Sequence, residues 1–173
     1  MLYFAYGSNL STARIKQRLP SAELVTMGFL TAHLLCFHKV GMDGSGKCDA
    51  FHTGNERDCV LGAVYRIDAE CKIILDKVEG LGRGYNEKNV TVFNERGQKI
   101  EALTYYATNI NHHVKPYHWY KGHVLIGARE HDFPDEYIQM FISVDSIDDS
   151  DKEREERELA IHGLGTKDGF RKL

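Results

Sequence analysis

The chain has 173 residues, of which 42% are hydrophobic and 27% charged, with a formal net charge of -3. That size and mix fit one globular domain able to bury a core without covalent staples. The near-neutral charge gives no reason to expect nucleic acid, an anionic membrane or a polyanionic substrate.

No apolar run approaches the roughly 20 residues that a membrane-spanning helix needs. Strand-like residues begin at Leu2, in place of a signal-peptide core. Cys36, Cys48, Cys59 and Cys71 stand singly without CxxC pairs. They read as reduced thiols of a cytoplasmic protein.

Leu2–Tyr6 is a short apolar run stopped by Gly7-Ser8-Asn9, the pattern of a buried strand. Ser11-Thr12 can cap a short helix over Ala13–Leu19, which Pro20 ends. Glu23–Lys39 is rich in β-branched, leucine and aromatic residues and reads as one long or two short strands, followed by an open loop over Gly41–Gly46. Lys47–His52 and Cys59–Ile67 are expected to pair as a hairpin, joined through Gly54–Asp58.

Asp68 is an N-cap candidate. Ala69, Ile73, Ile74 and Lys77-Val78 follow it at helical spacing, and Gly80 stands where a C-terminal glycine belongs. Glu87–Phe93 and Lys99–Ala107 form a second hairpin through Asn94–Gly97. Helices are expected over Pro116–Glu130 and Pro134–Ser143, each with proline in its first turn. A charged helix over about Ser150–His162 ends at Gly163. Strands first and helices last make an α+β domain, its small sheet curved or closed with helices around it. No linker or repeat divides the span 1–173, whose charged helical C-terminal segment starts at about residue 145.

Most residues that invite chemistry lack the spacing for it. His112, His113, His118 and His123 are the densest histidine group, yet no HExxH or CxxC…H pattern organises them. They read as surface or core histidines, and no metal site is assigned. There is no GxSxG elbow for a serine nucleophile. Gly80-Leu81-Gly82-Arg83-Gly84 follows a helix and not a strand, so it is no phosphate cradle.

Two stretches remain. Tyr3–Leu10 is a strand feeding a tight turn towards a helix N-terminus, where successive N–H groups can converge on an oxyanion. In Val78–Tyr85, Glu79 stands at a helix end beside a glycine-rich loop. The negative helix terminus and Asp76 there disfavour its charged form and push it towards useful basicity. Taken alone, the first reads as an ordinary connection capped by Asn9 or Ser11, and the second as a surface Glu before a C-cap glycine.

Together, the octet Tyr3-Phe4-Ala5-Tyr6-Gly7-Ser8-Asn9-Leu10 and Val78-Glu79-Gly80 with Tyr85 beyond resemble the γ-glutamylcyclotransferase family. Leu61–Tyr65, Thr104-Tyr105-Tyr106, Trp119-Tyr120-Lys121 and Ile126-Gly127-Ala128 extend the likeness over roughly residues 2–140. The resemblance implies a small mixed closed β-barrel surrounded by helices. It also implies a cofactor-independent enzyme, without metal, that turns a γ-glutamyl-amino acid into 5-oxoproline and the free amino acid.

By the same resemblance Glu79 is the acid/base, and Tyr3, Phe4, Ala5, Tyr6, Gly7, Ser8 and Tyr120 hold substrate. Beside these, Asn9, Arg83 and Tyr85 are candidate further contacts, with Arg83 either a partner for the substrate α-carboxylate or pointing to solvent. The opening FAYGSN departs from the FGYGSL of the glutathione-specific relatives. A γ-glutamylamine cyclotransferase is the near alternative; a non-catalytic γ-glutamyl- or carboxylate-binding module is the other, though such a module has little use for Glu79 beside an anionic ligand. Tyr117 and Trp119 are exposed-looking aromatics, open to a homodimer interface or the pocket rim.

Overall fold

The computed structural model describes residues 1–163; residues 164–173, the end of the expected single-domain span and its charged segment, lie outside the described residues. Strand β1 (Leu2–Ala5) pairs antiparallel with β5 (Cys59–Arg66), from Leu2 opposite Arg66 to Ala5 opposite Ala63. On its other side β5 pairs with β2 (Glu23–Thr31), which meets β6 (Tyr85–Phe93) where Phe29 faces Phe93. A hairpin joins β6 to β7 (Lys99–Ala107), and a parallel contact of Leu103 with Tyr3 closes the ring β1-β5-β2-β6-β7. The fold is therefore α+β with a mixed, closed barrel, and closure leaves the barrel sheet itself without an open edge. Its lining and the helices around it share one core, in which Phe4, Val64, Leu75 and Val92 are fully buried.

The remaining two strands overturn one expectation. Glu23–Lys39 is two strands, β2 and β3 (His33–Val40), broken at Ala32, whose backbone is left-handed with φ 58°. The Ala32 carbonyl accepts the N–H groups of Thr53 and Gly54, at 2.8 and 3.3 Å, which fixes that bend. Strand β4 (Gly46–His52) then pairs with β3, not with β5 as expected, from His33 opposite His52 to Val40 opposite Gly46. Loop 41–45 is thus the tip of a two-stranded ribbon lying outside the barrel ring.

Helix α1 (Thr12–Arg18) is capped by Ser11, whose hydroxyl accepts the Arg14 N–H at 3.3 Å. Helix α2 (Ala69–Glu79) starts from Asp68, which accepts the Cys71 N–H at 2.7 Å, and stops at Gly80 with φ 71°. Its buried face is Cys71 and Leu75; Ile73 and Ile74 of the expected stripe are 58% and 41% exposed. Helices α3 (His118–Glu130) and α4 (Asp135–Ile142) begin after their prolines, Pro116 lying before the cap residue Tyr117 and Pro134 being itself the cap.

Helix α5 (Lys152–Ala160) is tied to α3 through Asp149. This wholly buried carboxylate accepts from Trp119 Nε1 at 2.8 Å, Arg154 Nε and Nη2 at 2.6 and 2.5 Å, and the Asp151 N–H at 2.9 Å. Burial alone would raise its pKa; the Arg154 and Trp119 bonds outweigh that and hold it at about 2 against an ordinary 3.8. A depressed carboxyl contributes stability that is present above its unfolded pKa and lost as pH falls through the folded one. Asp149→Asn is therefore expected to cost about 2–3 kcal/mol at neutral pH. In urea melts the gap to wild type should close between pH 4 and pH 2.

Candidate active site

The loop after β1 and the end of α2 meet at one end of the barrel. Gly80, Gly82 and Gly84 all have positive φ (71°, 77° and 129°), a backbone that side-chain-bearing residues rarely adopt. These turns lead the chain from Glu79 back to Tyr85 at the start of β6, with the Gly82 N–H donating to the Tyr85 carbonyl at 2.8 Å.

Glu79 is held from the loop side. Asn9 Nδ2 donates to its Oε1 at 2.8 Å and to the Tyr3 hydroxyl at 3.0 Å. Arg18 Nη1 in turn donates to Asn9 Oδ1 at 2.6 Å and lies 3.8 Å from Glu79 Oε1. Asn9 is thus the clip between loop, carboxylate and guanidinium. The Glu79 side chain is 16% exposed.

Burial raises its pKa above the ordinary carboxylate value, against the opposing pull of Arg18, the Asn9 bond, Lys39 and Arg14. The direction matches the sequence reading but the cause differs. Asp76 is occupied elsewhere, by Lys72 Nζ at 2.5 Å and the Tyr105 hydroxyl at 2.6 Å.

Opposite Glu79, Tyr6 donates to the Tyr105 carbonyl at 2.5 Å. Tyr120 of α3 accepts the Cys48 N–H at 3.0 Å, and the Tyr85 hydroxyl donates to the Cys48 carbonyl. Gly7 fits where a methyl group would come within 3.1 Å of Cys48 Cβ and 3.4 Å of the Tyr120 hydroxyl. None of the described residues accepts a hydrogen bond from the Gly7 or Ser8 N–H. Two backbone donors are thereby left available beside the carboxylate.

These groups line one small inner pocket, which shares Ser8, Glu79, Tyr85 and Tyr120 with a wider outer cleft. Of the expected site residues, Tyr3, Tyr6, Gly7, Ser8, Asn9, Glu79, Tyr85 and Tyr120 line the inner pocket. Phe4 and Ala5 are fully buried in the core and are not among its lining. Arg83 is exposed and lines the outer cleft.

Trp119 and Tyr117, exposed-looking in sequence, are 4% and 8% exposed; Trp119 faces the outer cleft and Tyr117 lines neither space. Sequence reading missed Cys48 and Tyr105 in the pocket, and Lys39, Lys47, Arg14 and Arg18 in the cleft. Apart from the Thr104-Tyr105-Tyr106 match, nothing local to those residues marked them. Among the described residues no three His, Cys, Asp or Glu side chains converge as a metal site, and no helix is long and apolar enough to cross a membrane.

In class, residues 59–141, which include Glu79 and its glycine turn, match the model of the AIG2-like family. The γ-glutamylcyclotransferase of Bos taurus is 35% identical over 167 residues, covering 92% of this chain and 87% of the relative. That of Homo sapiens is 33% identical over 168 residues with the same coverage. A solved structure named γ-glutamyl cyclotransferase superimposes with a TM-score of 0.83 at 31% identity, covering 94% of this chain and 98% of the other. The chain belongs to the γ-glutamylcyclotransferase family.

Proposed function

We propose that the protein is a γ-glutamylcyclotransferase: it cyclises the γ-glutamyl group of a γ-glutamyl-amino acid to 5-oxoproline and releases the amino acid. The observation that supports this reading is that Glu79 lines one pocket together with Gly7 and Ser8, whose amides have no acceptor among the described residues. The substrate brings its own nucleophile, so the protein needs to supply only orientation, a proton carrier and an oxyanion site.

The inner pocket folds the glutamyl chain so that its α-amine reaches its γ-carbonyl, a kind of positioning worth up to about 7–11 kcal/mol. As the new C–N bond forms, Glu79 takes a proton from the α-amine. Negative charge moves onto the carbonyl oxygen, where the Gly7 and Ser8 N–H groups donate to it; one such donor typically contributes about 3–4 kcal/mol. The old C–N bond then breaks as Glu79 returns its proton to the departing nitrogen. Burial suits Glu79 to both halves, because a raised pKa makes the carboxylate a better base. No cofactor enters the reaction. The four free cysteines support a reducing, cytoplasmic setting, and the partner is a small molecule; neither nucleic acid nor membrane has a part in this reading.

Purified protein is expected to release 5-oxoproline from γ-glutamyl-alanine. No turnover across a broad γ-glutamyl panel, with binding retained, would instead mark a non-catalytic binding module. A second result concerns the clip. Asn9→Leu removes the bond that favours ionised Glu79, so the acid limb of the kcat/KM profile should move to higher pH, with kcat falling about tenfold or more. An unmoved limb would mean that Asn9 does not act through Glu79.

A further inference from the structure

The outer cleft is strongly cationic. Arg14, Arg18, Lys39, Lys47, Arg83 and Arg154 line it, against Asp43, Glu79 and Glu158. Most of these cations are already engaged. Arg14 pairs with Glu158 at 2.5 Å, Lys47 with Asp43 at 2.8 Å, and Arg154 with Asp149 through two bonds. Arg18 serves Asn9 and Glu79, and Arg83 is exposed at the rim.

Lys39 differs from all of them. The residue is 5% exposed, and among the described residues its ammonium, which keeps access to solvent, has no hydrogen-bond acceptor and no ion-pair partner. Its Nζ rests over the face of the Tyr85 ring, 4.4 Å from the centroid. Burial of the unpaired ammonium lowers its pKa, with Glu79 and Asp43 the nearby acids that oppose the shift. The stem is enclosed, but the ammonium reaches the cleft it lines, with three donors free to meet an anion there.

The location says which anion. Tyr85 separates the two spaces: its hydroxyl reaches Cys48 on the inner side, while Lys39 lines only the outer cleft. A γ-glutamyl group seated against Gly7 and Glu79 must project its amine-derived portion past Tyr85 into that cleft. We infer that Lys39 binds the carboxylate of the departing amino acid, and that this contact selects γ-glutamyl-α-amino acids over γ-glutamylamines without a carboxylate there. The inference rests on the cyclotransferase reading and adds a specificity residue to it. Lys39 is set in place by β3: its neighbour Val40 donates its N–H to the Asn109 carbonyl at 2.9 Å, and Lys39 itself stands opposite Lys47 in the ribbon.

The test compares γ-glutamyl-alanine with γ-glutamyl-ethylamide, which keeps the glutamyl α-carboxylate and lacks only the one on the leaving group. Wild type should favour γ-glutamyl-alanine by at least about tenfold in kcat/KM, and Lys39→Met should lower that substrate's kcat/KM about 10- to 100-fold. The ethylamide should lose far less, only what Lys39 contributes through its charge near Glu79, and Lys39→Arg should restore most of the preference. Thermal melting checks folding; removal of an unpaired charge from a largely buried side chain should leave Lys39→Met about as stable as wild type.

An equal loss on both substrates would mean that Lys39 acts through Glu79 or on the glutamyl half, and would overturn the inference. So would no loss on either substrate. Wild type inactive on both would defeat the cyclotransferase reading itself, and this inference with it.

Discussion

Replacing Glu79 by Gln is expected to lower kcat for 5-oxoproline release by about 10²- to 10⁴-fold, the usual contribution of a positioned acid/base. The same change should make the protein more stable at neutral pH. Both expectations follow from one fact, that the protein buries this carboxylate.

Because burial raises the folded-state pKa above the ordinary 4.5, the folded chain holds a proton that the unfolded chain has already released at intermediate pH. Stability must then fall as pH rises through that window, and stay lower above it. Gln carries no such charge. In denaturant melts the advantage of Glu79→Gln should be absent below the ordinary carboxylate pKa, grow as pH rises through the window, and level off above it. Wild-type kcat/KM should show the mirror image, an acid limb lying above the range of an exposed glutamate. Wild-type turnover in the Gln variant would sink the proposed mechanism. A pH-independent stability difference would instead show that Glu79 is not destabilised by ionisation.

How far the site was legible in sequence depends on how local each signal is. Gly7-Ser8-Asn9 after an apolar run, and Asp68 with Gly80 bracketing a helix, are carried by neighbouring residues, and each stands where its chemistry indicated. The order of elements allowed a curved or closed sheet, and only the family likeness chose the closed barrel, since alternation specifies strands but not their partners. The ribbon shows the gap. Nothing in Ala32 signals a left-handed bend, because alanine rarely adopts one. The pairing of β4 with β3 was therefore invisible, and with it the arrival of Cys48 and Lys39 at the site. The basicity of Glu79 was foreseen in direction from its helix end, yet burial by residues distant in sequence is what raises it.

Gly127→Ala is expected to cost about 1–3 kcal/mol of stability by overpacking and about 100-fold in turnover by displacing the loop, although Gly127 touches neither inner pocket nor outer cleft. Gly127 is where α3 presses on the chain just past Asn9. An added methyl would lie 2.5 Å from the Ser11 nitrogen, 2.6 Å from the Leu10 carbonyl carbon and 2.9 Å from Leu10 Cβ. Two of these are backbone atoms, so no side-chain rotation relieves the clash; the helix or the loop has to move.

Either movement has the same consequence, because α3 carries Tyr120 and the loop carries Gly7 and Ser8, which line one pocket with it. A shift of about 1 Å between catalytic groups and substrate is enough for a loss of that size. Gly97→Ala is the matching control. Its φ of 72° strains any side-chain residue, yet a methyl there meets nothing. It should lose about 1 kcal/mol of stability and keep full kcat. Equal kcat in the two variants would reduce the contact of α3 with the loop to packing alone. A selective loss in Gly127→Ala would make that glycine the point at which the helix sets the position of the oxyanion donors.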